Sequence, residues 1–136
     1  MDRLVLQEKL ESLARCVRRV ELKRPQSLAV LETDPDLQDI LVLNLSRAVQ
    51  LCVDIGSHVI SSTNAPAPQT MGEVFTTLAT LGNISGGLAA RLRSAVGFRN
   101  IAVHNYSRVD WAIVFEISSR YLDDFRDFAA AVPLSN

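Results

Sequence analysis

A chain of 136 residues in which 48% are hydrophobic and 21% are charged has the composition of an ordinary globular domain with one substantial core. Its formal net charge of −1 argues against indiscriminate coating of nucleic acid, and its longest apolar runs, such as Ile40 to Leu43, are far shorter than the roughly 20 residues of a membrane span. The N-terminus opens directly into an amphipathic pattern without a secretory signal, so we expect one domain over residues 1–136, in the cytoplasm.

The first segment predicts a helix that packs against other helices. Its apolar residues recur in steps of four and three, at Leu6, Leu10, Leu13, Val17 and Val20. Pro25 then turns the chain, because the residue before a proline is pushed out of helical geometry. We therefore predict a first helix from Asp2 to Arg24, followed by a short helical piece from Ser27 to Glu32.

Asp34 and Pro35 predict the start of the longest helix. Asp34 can accept a hydrogen bond from a free helix N–H, and proline suits the first turn, where its missing donor is not needed. From there to about Ser62 the chain is apolar on most sides, which predicts the central and most buried helix. One polar stripe crosses it, at Arg47, Gln50, Asp54 and His58. A buried polar stripe needs partners, and we expect them in the active site or in a second subunit.

The two cysteines, Cys16 and Cys52, lie inside apolar helical patterns and lack the spacing of a metal or redox motif. We expect buried thiols rather than a disulfide. A metal site is also not expected, because the chain has only two histidines, on different predicted helices, and no acidic cluster beside His104.

Start signals divide the second half of the chain into three more helices. Thr70 and Glu73 form a capping box that opens a short helix. Ser85 starts the next one, in which Gly97 is expected to allow close approach of a neighbouring backbone. Asp110 caps one last helix. Because no strand alternation appears anywhere, the chain is predicted to be an all-α, up-and-down bundle of about five helices.

The helix that Ser85 starts ends in a cluster of polar residues: Arg99, Asn100, His104 and Tyr106. Arginine offers a fixed fork of donors to a phosphate, histidine exchanges its proton near neutral pH, and amides and phenols orient groups by hydrogen bonds. Asn100 and His104 are four residues apart and share a helix face, with Arg99 about 100° away. These residue types are the parts of a site that cleaves phosphodiesters.

Charge is unevenly distributed in this half of the chain. Between Val74 and Val109 there are four arginines, at 91, 93, 99 and 108, and no carboxylate. A local positive field over this segment would attract the phosphates of RNA. The alternative is a solvated helix face whose arginines find acidic partners on other helices, and charge alone favours that alternative.

The order and spacing of the four motif residues resemble the signature of the HEPN superfamily, and in particular of HepT-like toxins. The flanking segments 96–98 and 109–111 and the earlier segment 53–60 are also similar to HepT sequences, so the resemblance covers the chain from about Asp34 to Leu122. It implies the same helical bundle, as a homodimer whose two motifs line a cleft between subunits. It also implies the toxin of a type II or type VII-like toxin–antitoxin pair.

In HepT-like systems the partner is a small nucleotidyltransferase antitoxin of the MNT type, and the motif tyrosine can accept AMP from it. The resemblance therefore implies that Tyr106 is the AMP acceptor, where bulk and negative charge would block RNA. It also implies a supporting role for Asp54, the acidic residue of the central helix, in pairing with Arg99 or orienting His104. His58 is an equally simple local partner for Asp54.

The expected activity is metal-independent endonucleolytic cleavage of RNA, because the 2′-hydroxyl of RNA supplies the nucleophile and no cofactor is required. His104 is expected to act as general base or acid, Arg99 to neutralise the charge that develops on phosphorus, and Asn100 to orient His104 or the phosphate. A dimer cleft would supply a second histidine. The expected product carries a 2′,3′-cyclic phosphate.

Two other functions remain open from the sequence. One is a non-catalytic HEPN module that binds nucleotides or assembles with a partner, and the other is a structural helical adaptor. Each motif residue also has a structural role open to it: Arg99 in an ion pair, Asn100 in a hydrogen bond to a backbone carbonyl, His104 as a cation at a helix C-terminus, and Tyr106 in packing. The motif does not tell whether the RNA target is tRNA or mRNA.

Overall fold

The computed structural model describes residues 3–133, and all regular structure in that range is helical. The elements are α1 (Arg3–Leu22), α2 (Leu28–Glu32), α3 (Pro35–Ser61), α4 (Met71–Thr80), α5 (Gly86–His104), a short 3₁₀ helix (Tyr106–Arg108), α6 (Trp111–Ser119) and α7 (Asp123–Ala130). The predicted all-α bundle is confirmed. The described residues form seven α-helices, where the sequence predicted about five.

The helices begin where side chains satisfy the free N–H groups of the first turn. The Asp34 carboxylate accepts a hydrogen bond from the N–H of Leu37 at 3.1 Å, and the Thr70 hydroxyl accepts one from the N–H of Glu73 at 3.2 Å. The Glu73 carboxylate reaches back to the N–H of Gln69 at 2.7 Å, one residue before the position expected in a capping box. Ser27, Ser85 and Asp110 cap α2, α5 and α6.

Helix α3 is the centre of the bundle, because it packs against all six other α-helices. Among the described residues it is the one helix long and apolar enough to cross a membrane by length and composition alone. However, 56% of its most apolar stretch is buried inside the bundle. Burial by neighbouring helices accounts for the apolar composition of α3.

Helix α4 packs tightly against α3 at Gly56. A Cβ atom at this position would overlap Val74 and lie 3.1 Å from Leu78, so only glycine fits without a shift of α4. Beside this contact the rings of Phe75 and Phe128 pack edge to face, with centroids 5.9 Å apart. By contrast, a Cβ at Gly97 would meet nothing within 4 Å, so the close approach predicted there is not formed.

Cys16 and Cys52 are free thiols inside the core, as predicted. Burial raises the pKa of both thiols, and for Cys16 the nearby charges of Arg47 and Arg15 offset part of that rise. Both side chains therefore pack as small apolar groups.

The last predicted helix is two helices, α6 and α7, separated by residues 120–122. The N–H groups of Arg120 and Tyr121 both donate to the carbonyl oxygen of Glu116, at 2.8 and 3.2 Å, which ends α6. Leu122 follows and is only 1% exposed. Two aspartates then open α7, where negative charge is favoured by the helix dipole. The break contains no proline or glycine, and the apolar pattern continues across it. The sequence therefore shows no sign of the break.

Candidate active site

The C-terminal end of α5 carries the polar motif at the surface of the bundle. Asn100 and His104 are exposed and lie one helical turn apart on the same face, while Arg99 is half-buried on the neighbouring face. The helix ends at His104, where the N–H of Asn105 donates to the carbonyl oxygen of Ile101 at 2.8 Å. Three motif residues thus lie in the last turns of one helix.

Arg99 reaches around α5 to the amide of its neighbour. Its Nη1 donates to Oδ1 of Asn100 at 3.1 Å and lies 3.9 Å from Sδ of Met71, the first residue of α4. No carboxylate within residues 3–133 pairs with Arg99. The remaining donors of the guanidinium group are therefore available to an anion on the face that carries Asn100.

His104 is the last residue of α5, and its side chain is exposed. Neither ring nitrogen takes part in a hydrogen bond or ion pair with the described part of the chain. The alternative role, a cation favoured at a helix C-terminus, fits this same position in the last turn of α5. The exposed imidazole has no bond to the described residues, so a substrate could exchange protons with it.

Tyr106 opens the 3₁₀ helix that follows α5, and its hydroxyl points to α3. It donates to Oδ1 of Asp39 at 2.6 Å, and its ring meets Trp111 edge to face with centroids 6.0 Å apart. Burial, together with the hydrogen bond to Asp39 and its charge, raises the pKa of Tyr106 to about 12. The sequence placed this hydroxyl beside the motif but did not identify Asp39, its partner 67 residues earlier. No local spacing signals such a pair.

The four arginines of this region differ in their partners. Arg91 pairs with Asp124 of α7 at 3.0 Å, so the alternative of acidic partners on other helices is correct for Arg91. Arg93 donates to the hydroxyl of Thr76 at 3.1 Å. Within the described chain, Arg93, Arg99 and Arg108 have no carboxylate partner. Positive charge therefore remains at the motif end of α5.

Asp54 is not paired with the motif in this structure. Its carboxylate accepts a hydrogen bond from Nε2 of Gln50 at 2.9 Å and lies 3.7 Å from Nζ of Lys9 on α1. Pairing with Arg99, orientation of His104 and pairing with His58 were the expected contacts, and none of them is formed within one chain. The physical reason is orientation, because Asp54 lies on the side of α3 that packs against α1.

The sequence predicted a buried polar stripe on α3. The structure places this stripe at the surface. Arg47 is exposed, and Gln50, Asp54 and His58 are partly exposed. Part of the stripe lines a groove of about 610 Å³ between α1 and α3, which we call the arginine groove. Its lining residues are Ser12, Arg15, Cys16, Arg19, Asn44, Arg47, Gln50, Leu51 and Asp54. Solvent reaches the side chains of the polar stripe, so they do not require protein partners.

A second, mainly apolar groove of about 700 Å³ runs between α5 and the pair α6–α7. Ile101 and Ile113 line it and remain 45% and 46% exposed, and Val103 of α5 is 53% exposed. Large apolar side chains thus surround the exposed face that carries Asn100 and His104. Exposed large apolar side chains that lie near one another are typical of protein interaction sites.

Residues 3–133 hold no group of three or more histidine, cysteine, aspartate or glutamate side chains arranged to bind a metal ion. The polar groups of the motif are a guanidinium, an amide, an imidazole and a phenol. Such a set can grip a phosphate, orient it and move protons.

Comparison with known proteins identifies relatives over nearly the whole chain. Residues 6–132 match the family model of ribonuclease HepT-like proteins. The mRNA nuclease HepT of Shewanella oneidensis is 32% identical over 124 residues, which cover 91% of this chain and 92% of that protein.

Solved structures agree in fold and sequence. A tri-AMPylated HEPN toxin of Shewanella oneidensis, in complex with an MNT antitoxin, superposes with a TM-score of 0.87 at 31% identity and covers 94% of this chain and 96% of the toxin. A toxin–antitoxin structure with AMP-PNP contains a chain with a TM-score of 0.86 at 30% identity, covering 95% and 98% of the two chains. From this family model and these relatives, we conclude that this chain belongs to the ribonuclease HepT-like proteins.

Proposed function

We propose that this protein is the toxin of a toxin–antitoxin pair, a cytoplasmic endoribonuclease that cleaves RNA without a metal ion. The observation that carries the proposal is the exposed end of α5, where Arg99, Asn100 and His104 lie together without a carboxylate partner. Similarity to the mRNA nuclease HepT over 91% of the chain supports the same activity.

The proposed chemistry uses the 2′-hydroxyl of RNA as nucleophile. His104 removes the proton of that hydroxyl or protonates the leaving 5′-oxygen, while Arg99 stabilises the negative charge that grows on the phosphoryl oxygens. Asn100 holds the Arg99 guanidinium by its side-chain oxygen and offers its NH₂ group to the phosphate. The product is a 2′,3′-cyclic phosphate.

We further propose a homodimer in which two motif ends share one cleft. The exposed apolar side chains beside the motif, Ile101 and Val103 among them, support an interface there. Two copies of His104 would then serve one phosphodiester, one as base and the other as acid. A symmetric interface brings the same residue from both subunits to the two-fold axis.

The proposed antitoxin is an MNT-type nucleotidyltransferase that transfers AMP to Tyr106. The AMPylated HEPN toxin found with an MNT antitoxin among the similar structures supports this partner. Tyr106 is 41% exposed and lies two residues beyond His104. AMP on its hydroxyl would place a negative charge beside the motif, where it repels the phosphates of RNA.

The nuclease proposal is tested by RNA cleavage in a chelating buffer, with the wild type and His104→Ala purified in the same way. We expect cleavage by the wild type, a 2′,3′-cyclic phosphate at the new end, and a rate at least about 100-fold lower for His104→Ala. Equal activity of the two proteins would mean a contaminating nuclease and would end the proposal.

The partner proposal is tested separately by intact mass. Incubation of the wild type with an MNT-type antitoxin and ATP should add one or more AMP groups to Tyr106, and Tyr106→Phe should gain none. AMP on another residue, or no added mass on the wild type, would remove this part of the proposal.

A further inference from the structure

The arginine groove between α1 and α3 has the chemistry of a phosphate-binding surface outside the motif. Arg15 and Arg19 of α1 and Arg47 of α3 line it. None of the three has a carboxylate partner within residues 3–133, and the acidic residue of the groove, Asp54, is already held by Lys9. Like charges around one groove repel one another, so an anion that enters it relieves an unfavourable field.

The three arginines line the same groove from two helices. The charges of Arg47 and Arg15 both act on the buried thiol of Cys16, so arginines from the two helices approach the same point. Arg19 follows Arg15 by one turn on the same face of α1. The groove therefore presents several donor forks to one ligand, as a polyanion requires.

Two amide side chains of the groove suit the sugar as well as the phosphate. The NH₂ group of Asn44 donates to the carbonyl oxygen of Ile40 at 2.8 Å, and that of Gln50 donates to Asp54 at 2.9 Å. Each amide is left with its oxygen to offer to a ligand. A 2′-hydroxyl can donate to such an oxygen, which favours RNA over an acidic protein surface.

The arginine groove is connected to the motif end of the molecule along α3. Asp39, which accepts the hydrogen bond of Tyr106, is followed in steps of four by Leu43 and Arg47, and all three are exposed on one face. Eight residues of α-helix from Asp39 to Arg47 span about 12 Å. A strand bound at the motif thus has an open path to the groove.

We propose that the arginine groove binds the backbone of single-stranded RNA on one side of the cleaved link, through phosphate contacts from Arg15, Arg19 and Arg47. This inference rests on the proposed nuclease function. The groove would strengthen binding of long RNA without taking part in the chemical step, because phosphate contacts position a strand and carry little sequence information.

The test compares two variants that each lose three positive charges. The groove variant carries Arg15→Gln, Arg19→Gln and Arg47→Gln, and the control carries Arg3→Gln, Arg18→Gln and Lys23→Gln, which lie outside the groove. Binding of a fluorescent 20-nucleotide RNA is measured against salt in a His104→Ala background, and cleavage of a dinucleotide is measured with His104 present. Thermal melting confirms that both variants fold.

For the groove variant we expect at least about 10-fold weaker RNA binding, and a slope of log K against log salt that is smaller by about 2, since three phosphate contacts are lost. The control should change much less, and both should cleave the dinucleotide like the wild type. Equal weakening in both variants, an unchanged groove variant, or loss of antitoxin binding instead of RNA binding would overturn the groove. A wild type that neither binds nor cleaves RNA would overturn the nuclease proposal with it.

A separate observation, the hydrogen bond between Tyr106 and Asp39, carries a second inference. The distance of 2.6 Å joins the phenol oxygen to Oδ1 of the carboxylate, and the edge-to-face contact with Trp111 fixes the ring. Asp39 therefore contacts the atom that would react if Tyr106 accepts AMP. A base in this position can take the phenol proton without any movement of the backbone.

We infer that Asp39 is the general base for transfer of AMP to Tyr106, an inference that rests on the proposed modification. The phenol oxygen forms a bond to the α-phosphorus of a nucleoside triphosphate bound by the antitoxin. The bond from that phosphorus to pyrophosphate breaks, the electron pair leaves with pyrophosphate, and the phenol proton passes to Asp39. The toxin would thus supply one catalytic group for its own inactivation.

A base is needed because Tyr106 holds its proton firmly. Burial and Asp39 raise the pKa of Tyr106 to about 12, so the reactive phenolate is scarce near neutral pH. Proton removal must therefore accompany bond formation to phosphorus.

The test uses Asp39→Asn, which keeps the shape of the side chain, with Asp36→Asn as a control on the same helix. AMP addition is followed by intact mass with an MNT-type antitoxin and ATP, after binding of the antitoxin is confirmed for each variant. The ionisation of Tyr106 is followed by ultraviolet absorbance, with Tyr106→Phe to identify its signal.

Asp39→Asn should lower the pKa of Tyr106 and slow AMP transfer about 100-fold, while Asp36→Asn should change neither. Transfer at the wild-type rate in Asp39→Asn, or a loss that only follows lost antitoxin binding, would contradict the role of Asp39. Absence of AMP on wild-type Tyr106 would contradict the modification itself, which is a different result.

Discussion

The arginines at the two ends of α5 have different partners. Near its start, Arg91 donates to both carboxylate oxygens of Asp124, at 3.0 and 3.1 Å, and so ties α5 to α7. Near its end, Arg99 donates to Asn100 of its own helix, and His104 has no partner among residues 3–133. The first arrangement contributes to the fold, whereas the second leaves donors at the surface for a ligand.

Under the proposed function, this difference separates structural from functional charge on a single helix. An ion pair at the surface contributes little to stability, about 0–1 kcal/mol, but it removes both charges from further use. Arg99 has no acidic partner, so its charge can act on a phosphate. Partners, and not residue type alone, distinguish the two roles.

Substitution of the two arginines gives the largest expected difference. Arg99→Ala should lower the rate of RNA cleavage by about 100-fold or more, because the growing negative charge on phosphorus loses its cation. Arg91→Ala should leave the rate nearly unchanged and shift the free energy of unfolding by at most about 1 kcal/mol. Cleavage of a labelled RNA under single-turnover conditions measures both variants. Equal losses would mean that the two ends of α5 do not differ in function.

The free energy of unfolding should depend on packed positions of α5 and very little on exposed positions beside the motif. Leu92, at 2% exposure, lies in the core, and Leu92→Ala should cost about 2–5 kcal/mol through lost burial and a cavity. Val103, at 53% exposure, is beside the motif, and Val103→Ala should change the free energy of unfolding by less than about 0.5 kcal/mol. Urea unfolding followed by circular dichroism compares them. A large cost at Val103 would show that the motif end is also part of the core.

A smaller loss of activity is expected at Asn100, which positions Arg99 and does not carry charge. Asn100→Ala should slow cleavage by about 10-fold, less than Arg99→Ala, because the guanidinium remains but loses one hydrogen bond. Asn100→Asp should slow it more, since a carboxylate beside Arg99 would compete with the phosphate. A rate for Asn100→Asp above that of Asn100→Ala would contradict this role.

The smallest expected effect concerns the tie between Tyr106 and α3 at high pH. The folded-state pKa of Tyr106, about 12, is above the ordinary value of 10.0, so the folded chain holds the phenol proton more firmly. The stability that this bond contributes is full below about pH 10 and is lost as pH rises towards 12. The free energy of unfolding of the wild type should therefore fall by more over that interval than that of Tyr106→Phe. Parallel pH profiles would contradict the contribution of the bond.

Much of the fold follows from local signals in the sequence. Asp34 and Thr70 cap helices as predicted, because an N-cap depends on residues within one turn. The apolar patterns also place Cys16 and Cys52 correctly in the core. The break between α6 and α7 was missed, since residues 120–122 contain no proline or glycine to signal it.

Contacts between residues far apart in the chain could not be predicted from the sequence. Asp39 and Tyr106 are 67 residues apart, and Asp54 was expected near Arg99 but faces Lys9 on α1. A tight contact with side chains of α4 occurs at Gly56, for which the sequence shows only a glycine in an apolar helix. Which faces of α3 meet α1, α4 and α5 is decided by packing of the whole bundle, and the motif spacing does not contain that information.

The most direct measurement of the central claim is a double-mutant cycle for Arg99 and His104, with kcat/KM for RNA cleavage measured in a chelating buffer. If the guanidinium and the imidazole act on the same phosphodiester, their effects are not additive. We predict that Arg99→Ala combined with His104→Ala is at most a few-fold slower than the slower single variant. A combined loss equal to the product of the two single losses would contradict a shared site.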